Sequence, residues 1–215
     1  MTSPSITRRG LLRGVGTASV LASCNRPKNK PGTDTPTGPA VTDANAPAEI
    51  GPDAVPLTLT LNGKPITLAV EPRVTLLQAL RLDAGVTGPK QVCDRGACGA
   101  CTVLVDGVPR NSCMMLAHDV AGANVTTVEG LADGATLGAL QAAFVEHDAL
   151  QCGFCTSGML MSCTALLRRA GNTRAPLRAE QVREAIAGNL CRCGTYPNIV
   201  AAVLKVGGGK SEAEG

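Results

Sequence analysis

Apolar and polar positions alternate from Leu57 to Val70, on both sides of Asn62-Gly63, which is the pattern of two strands joined by a two-residue turn. The period then changes. Leu76, Leu77 and Leu80 recur at helical spacing and Thr75 stands where a side chain can cap the first turn, so the stretch to Leu82 is predicted as a short helix. Thr102 to Val105 reads as a further strand running into a tight turn at Asp106-Gly107. From Thr136 onward four helices are predicted over 137–149, 157–170, 179–187 and 198–206. The second places Met159, Leu160, Cys163, Leu166 and Leu167 on one face. The third carries Val182, Ala185 and Ile186 and ends at Gly188-Asn189, a C-cap signal. The fourth turns Ile199, Val200, Val203 and Leu204 inward. An α+β chain follows, with a sheet domain over 57–133, a four-helix domain over 134–207 and a short tail over 208–215.

The segment before residue 57 has no such periodicity. Asn25 to Pro56 holds seven of the 14 prolines and reads, over 24–56, as a flexible linker. Ahead of it, Arg8, Arg9 and Arg13 lie in 23 residues without Asp or Glu, and Gly14 to Ala22 is a short apolar run. This resembles a twin-arginine export signal over 1–23 and is shorter than a membrane span. Leu21-Ala-Ser-Cys24 resembles a bacterial lipobox, which makes Cys24 a lipidation candidate. The expectation is export in the folded state to the periplasm, with a lipid anchor where Cys24 is modified.

Composition narrows the classes. Without Trp, and with one Tyr and two Phe, the cores must be aliphatic. A net charge of +3 without a basic run, and almost no aromatics to stack on bases, argues against a nucleic-acid partner.

Ten cysteines invite a disulfide scaffold, zinc sites or iron-sulfur ligation, and spacing must discriminate. Cys93, Cys98, Cys101 and Cys113 form C-x4-C-x2-C-x11-C, the plant-type [2Fe-2S] spacing. Gly96 and Gly99, with Ala97 and Ala100 beside them, permit the tight curl by which backbone N–H groups can face cluster sulfurs. Zinc would not need the x4 step or the loop glycines, and disulfides would not need three Cys so close together. A Rieske centre is excluded because neither His118 nor His147 closely follows a loop Cys; both are expected at the surface. With this loop the strand-strand-helix-strand order fits a β-grasp ferredoxin. Cys152 and Cys155 fall between the first two predicted helices, Cys191 and Cys193 between the last two. Taken alone, these pairs are ambiguous between zinc and iron-sulfur. Cys163, inside a helix, is expected to be a buried apolar residue.

Gln151-Cys-Gly-Phe-Cys-Thr-Ser-Gly158 and Gly188-Asn-Leu-Cys-Arg-Cys-Gly-Thr-Tyr-Pro-Asn-Ile199 resemble the second [2Fe-2S] motif of the molybdenum hydroxylases, the xanthine dehydrogenase and aldehyde oxidoreductase family. Cys93 to Val103 resembles that family's first motif, and the two occur in the family's order. Ser157 departs from the pattern, where many members have Pro. The resemblance implies two [2Fe-2S] clusters, the second on Cys152, Cys155, Cys191 and Cys193. It also implies that Gln151 and Cys193 contact the molybdopterin cofactor of a large partner subunit. The chain would then be the iron-sulfur subunit of a heteromeric oxidoreductase. Electrons would pass from the oxidation of aldehydes or N-heterocycles toward a FAD subunit, a c-type cytochrome or a quinone. No general base, nucleophile or substrate pocket is legible, so catalysis proper belongs to the partner.

Overall fold

The computed structural model describes residues 51–171 and 176–209. The export signal, Cys24, the linker as far as residue 50 and the tail from residue 210 lie outside them. Among the described residues no helix is long and apolar enough to cross a membrane.

Strands β1 (Val55–Leu61) and β2 (Lys64–Val70) pair antiparallel with Leu61 opposite Lys64. Asn62 and Gly63 both take positive φ, 50° and 79°, as a turn matched to strand twist requires. Leu57, Leu59 and Leu61 point into the core while the Thr58 and Thr67 hydroxyls meet outside at 3.1 Å. Helix α1 (Leu76–Gln78) is closed by a reciprocal cap between Thr75 and Gln78 and then widens into a π-type turn over Ala79–Asp83. That widening is where the regular helix expected to Leu82 fails, and it leaves Leu82 79% exposed. Strands β3 (Thr102–Val105) and β4 (Val108–Asn111) form a second hairpin. β5 (Asn124–Thr126) runs parallel to β1 and antiparallel to β3, which completes a sheet of order β2-β1-β5-β3-β4. With three residues and only Val125 buried, β5 had no legible alternation.

Helices α2 (Ala139–Glu146), α3 (Thr156–Ala170), α4 (Ala179–Ala185) and α5 (Tyr196–Gly207) follow. The first and third are shorter than expected because their ends make turns; Leu137 stays half exposed, outside α2. α5 starts earlier than expected and stops at Gly208 in the left-handed region. The helical core closes around Phe144, Met159, Val182, Ile199 and Val203, with Cys163 fully buried among them.

The sequence reading gave α3 one apolar face, but it has two. Met161 and Ala165, on its other side, pack with Leu104 of β3, so one helix belongs to both halves. Ser157, Gly158 and Ser162 are buried in the same junction, polar or small positions that a hydrophobicity pattern passes over.

Candidate metal centre

The loop from Cys93 to Cys101 is shaped by three residues at positive φ: Asp94 at 53°, Gly96 at 70° and Gly99 at 68°. The glycines are needed for space as well. A Cβ on Gly96 would stand 2.9 Å from Met114 Cγ, and one on Gly99 would stand 2.5 Å from both Asn189 Nδ2 and the Gly188 carbonyl oxygen. The Gly96 N–H donates to Cys113 Sγ at 3.3 Å, the inward N–H to sulfur geometry that the spacing anticipated. Asn111 pins the loop from outside by donating to the Gly96 carbonyl at 3.1 Å. Cys101 and Cys113 are buried at the sheet, and Cys93 and Cys98 are half-buried.

The other four thiols come together from two turns far apart in sequence. Cys152 Sγ and Cys193 Sγ lie 3.4 Å apart at the exposed edge, while the Cys155 and Cys191 thiols act on one another further in. Gly153 and Gly194, at φ 84° and 83°, let the turns fold over. Tyr196, the single tyrosine, fixes the second turn: its hydroxyl accepts from the Cys191 N–H at 2.7 Å and donates to the Asn189 carbonyl at 3.1 Å. Thr195, buried, approaches Cys191 Sγ at 3.2 Å with its hydroxyl. Thr195 and Tyr196 stand within the second motif, but the sequence assigned neither of them a role.

In both sites the thiols meet two by two. Cys93 pairs with Cys98, Cys101 with Cys113, Cys155 with Cys191 and Cys152 with Cys193. Among the described residues no three ligating side chains surround one ion-sized point. Paired thiols suit a two-iron cluster, in which each iron takes two sulfur ligands from the protein.

The environments of the thiols differ. Burial pushes Cys113 up to about 11 and Cys155 up to about 12. Cys93 is brought down to about 7, first by the Arg95 backbone N–H and then by the Cys98 thiol. Burial works against Cys191, yet hydrogen bonds from the Thr195 hydroxyl and backbone and the Cys155 thiol bring it down to about 7. Cys152 is lowered, chiefly by the Phe154 backbone N–H. Such N–H and O–H donors stabilise thiolate or cluster sulfur alike. Thr156 Oγ1, next in sequence to Cys155, is buried without a protein partner, a hydroxyl disposed to serve a sulfur acceptor. Donor set, pairing and orphaned hydroxyl all fit [2Fe-2S] clusters.

Gln151 and Cys193 are both exposed beside Cys152. Burial pushes the Cys163 thiol up to about 12, as befits an apolar filler outside both sites. The histidines lie at the surface only in part. His118 is half-buried with Nε2 2.9 Å from the Val70 carbonyl oxygen, and the Nε2 of half-buried His147 is enclosed without a partner. Gly188 is not left-handed and Asn189 is buried, so this pair does not cap α4.

The two sites adjoin. The Leu190 N–H, one residue before Cys191, donates to the carbonyl of Cys98 at 2.9 Å, and Ser157 Oγ lies 3.5 Å from the Ala100 carbonyl oxygen.

Comparison with known proteins agrees with this geometry. Residues 59–132 match the family model of the 2Fe-2S iron-sulfur cluster binding domain, and residues 127–204 that of the [2Fe-2S] binding domain. The chain is 42% identical to the aldehyde oxidoreductase iron-sulfur-binding subunit PaoA of Escherichia coli, over 95% of this chain and 89% of that protein. It is 49% identical to the nicotine 6-hydroxylase small subunit of Paenarthrobacter nicotinovorans, over 73% of this chain and 92% of that one. Among solved structures, quinoline 2-oxidoreductase of Pseudomonas putida superimposes with a TM-score of 0.66 at 44% identity, over 71% of this chain and 91% of that chain. The aldehyde oxidoreductase of Desulfovibrio desulfuricans gives 0.64 at 40% identity, over 69% of this chain and 16% of that longer one. With both cluster-binding domains in order and such identity over most of its length, the chain belongs to the iron-sulfur subunits of the molybdenum hydroxylase family, the aldehyde oxidoreductase and xanthine dehydrogenase type.

Proposed function

We propose that this chain passes electrons, one at a time, from a molybdenum cofactor held by a large partner subunit to a flavin, haem or quinone acceptor. The observation that carries this reading is the direct backbone contact between the two sulfur sites, Cys98 carbonyl to Leu190 N–H, one residue from Cys191. Each bound cluster supplies one-electron redox chemistry. Everything else is the work of the chain's own residues. Cys93, Cys98, Cys101 and Cys113 hold one cluster; Cys152, Cys155, Cys191 and Cys193 hold the other. Thr195 and the loop N–H groups stabilise negative charge on sulfur, and Asn189 and Ser157 are buried where the two sites adjoin.

The direction follows from the family resemblance, and the exposure of the helical site is compatible with it. Cys152 and Cys193 form the exposed edge of the helical site, and Gln151 stands beside them with Phe154 61% exposed. This is the surface for the molybdopterin-bearing subunit, with Gln151 and Cys193 touching the pterin. Oxidation of an aldehyde or N-heterocycle takes place in that partner, consistent with the names of the similar proteins. The N-terminal segment would deliver the loaded chain through the twin-arginine route, and Cys24 would tether it at the periplasmic face of a membrane.

The test is co-purification with the molybdopterin subunit and anaerobic addition of an aldehyde or N-heteroaromatic substrate. The expected result is bleaching of the visible absorption of both clusters. Retention of full colour in the active complex would overturn the relay. Mass spectrometry of the mature N-terminus tests delivery; a start beyond Cys24 sinks the lipid anchor.

A further inference from the structure

Asn189 is only 4% exposed and lies where the two halves of the molecule meet. Its Nδ2 donates to the Gly99 carbonyl at 2.9 Å and to Thr102 Oγ1 at 3.3 Å. Its Oδ1 accepts from Ser162 Oγ at 2.7 Å. Gly99 lies between Cys98 and Cys101, Ser162 is on the helix that begins after Cys155, and Asn189 itself precedes Cys191 by two residues. One amide therefore ties the loop of the first site to both pieces of the second. A primary amide suits this position because it offers two donors and an acceptor in one plane. Burial fixes its orientation, since an unpaired amide there would keep its full desolvation cost. The fit around it is close. A Cβ on Gly99 would strike Asn189 Nδ2, and a Cβ on Gly158 would strike the Gly99 carbonyl oxygen.

We infer that Asn189 is a positioning residue: through Gly99 and Ser162 it sets the separation and orientation of the two sulfur sites and keeps the Cys98 to Leu190 hydrogen bond formed. The inference rests on the relay reading above. Transfer between the clusters moves one electron, with one centre oxidised and the other reduced and no bond made or broken. Its rate is therefore governed by how the two sites are held.

The test uses the full chain carrying both clusters, reduced completely with dithionite. Each reduced cluster has one unpaired spin, and neighbouring spins split each other's electron paramagnetic resonance. Asn189→Ala should broaden or abolish that splitting and slow intercluster transfer by about tenfold, the scale typical of lost outer-shell support. Iron content and the potential of each cluster should stay as in the wild type. Gly158→Ala, which prises the same junction apart from the other side, should do likewise. Wild-type splitting and rate in Asn189→Ala would overturn the inference. Should that variant lose its iron, Ser162→Ala decides: it removes one bond of three and should give a partial loss, and wild-type behaviour there is equally fatal. Absence of two reducible clusters in the wild type would instead refute the relay itself.

Discussion

The two sulfur sites solve the same chemical problem by opposite means. In the sheet domain three of four thiols come from one nine-residue loop, curled by Asp94, Gly96 and Gly99 at positive φ, with the fourth supplied just after β4. In the helical domain the four come from two turns nearly 40 residues apart, brought together by packing of α2, α3 and α5 around Phe144 and Ile199. One site is a matter of local backbone conformation. The other is a consequence of a hydrophobic core. Cluster and fold should thus be coupled more tightly in the helical half, where the ligands join elements that otherwise only pack.

Serine substitutions probe this most strongly. Cys101→Ser and Cys155→Ser should each cut iron from about four to about two per chain, given two irons per cluster. Only Cys155→Ser should also lower the melting temperature of the helical signal in circular dichroism; equal losses from both variants would erase the distinction. Next in size is Phe144→Ala, which empties the largest buried side chain of the helical core and should cost about 3–5 kcal/mol by denaturant titration. It should loosen the Cys152 to Cys193 pairing while the iron of the sheet domain persists. The smallest effect belongs to Glu146→Gln. Lys205 Nζ meets Glu146 Oε1 at 3.1 Å between α2 and α5, but both side chains are more than half exposed. The change should cost less than about 0.5 kcal/mol, and that difference should vanish in high salt. A larger loss would mean that surface charge, and not the core, holds the helical ligands.

These contrasts also explain which features were legible. Asn62-Gly63 and the loop glycines announce themselves because positive φ restricts residue choice locally. Thr75 and Gln78 lie within one turn, and their cap was half anticipated. β5 was missed because three residues cannot show a period. Asn189 was misread as a cap because its partners, Gly99 and Ser162, lie 90 and 27 residues away. The second face of α3 escaped for the same reason: Ser157, Gly158 and Ser162 read as polar until β3 and the first loop pack over them.

By itself the sequence determined the α+β order and the plant-type spacing of Cys93, Cys98, Cys101 and Cys113, because ligand spacing, strand period and turn chemistry all act within a few residues; Cys152, Cys155, Cys191 and Cys193 became one ligand set only through the family resemblance. Tertiary structure alone decided how the thiols pair, which of them are exposed, and that the two sets touch through Asn189 and the Cys98 carbonyl. Those facts depend on contacts between distant segments, and burial and hydrogen bonding at such contacts appear only once the chain has closed its cores.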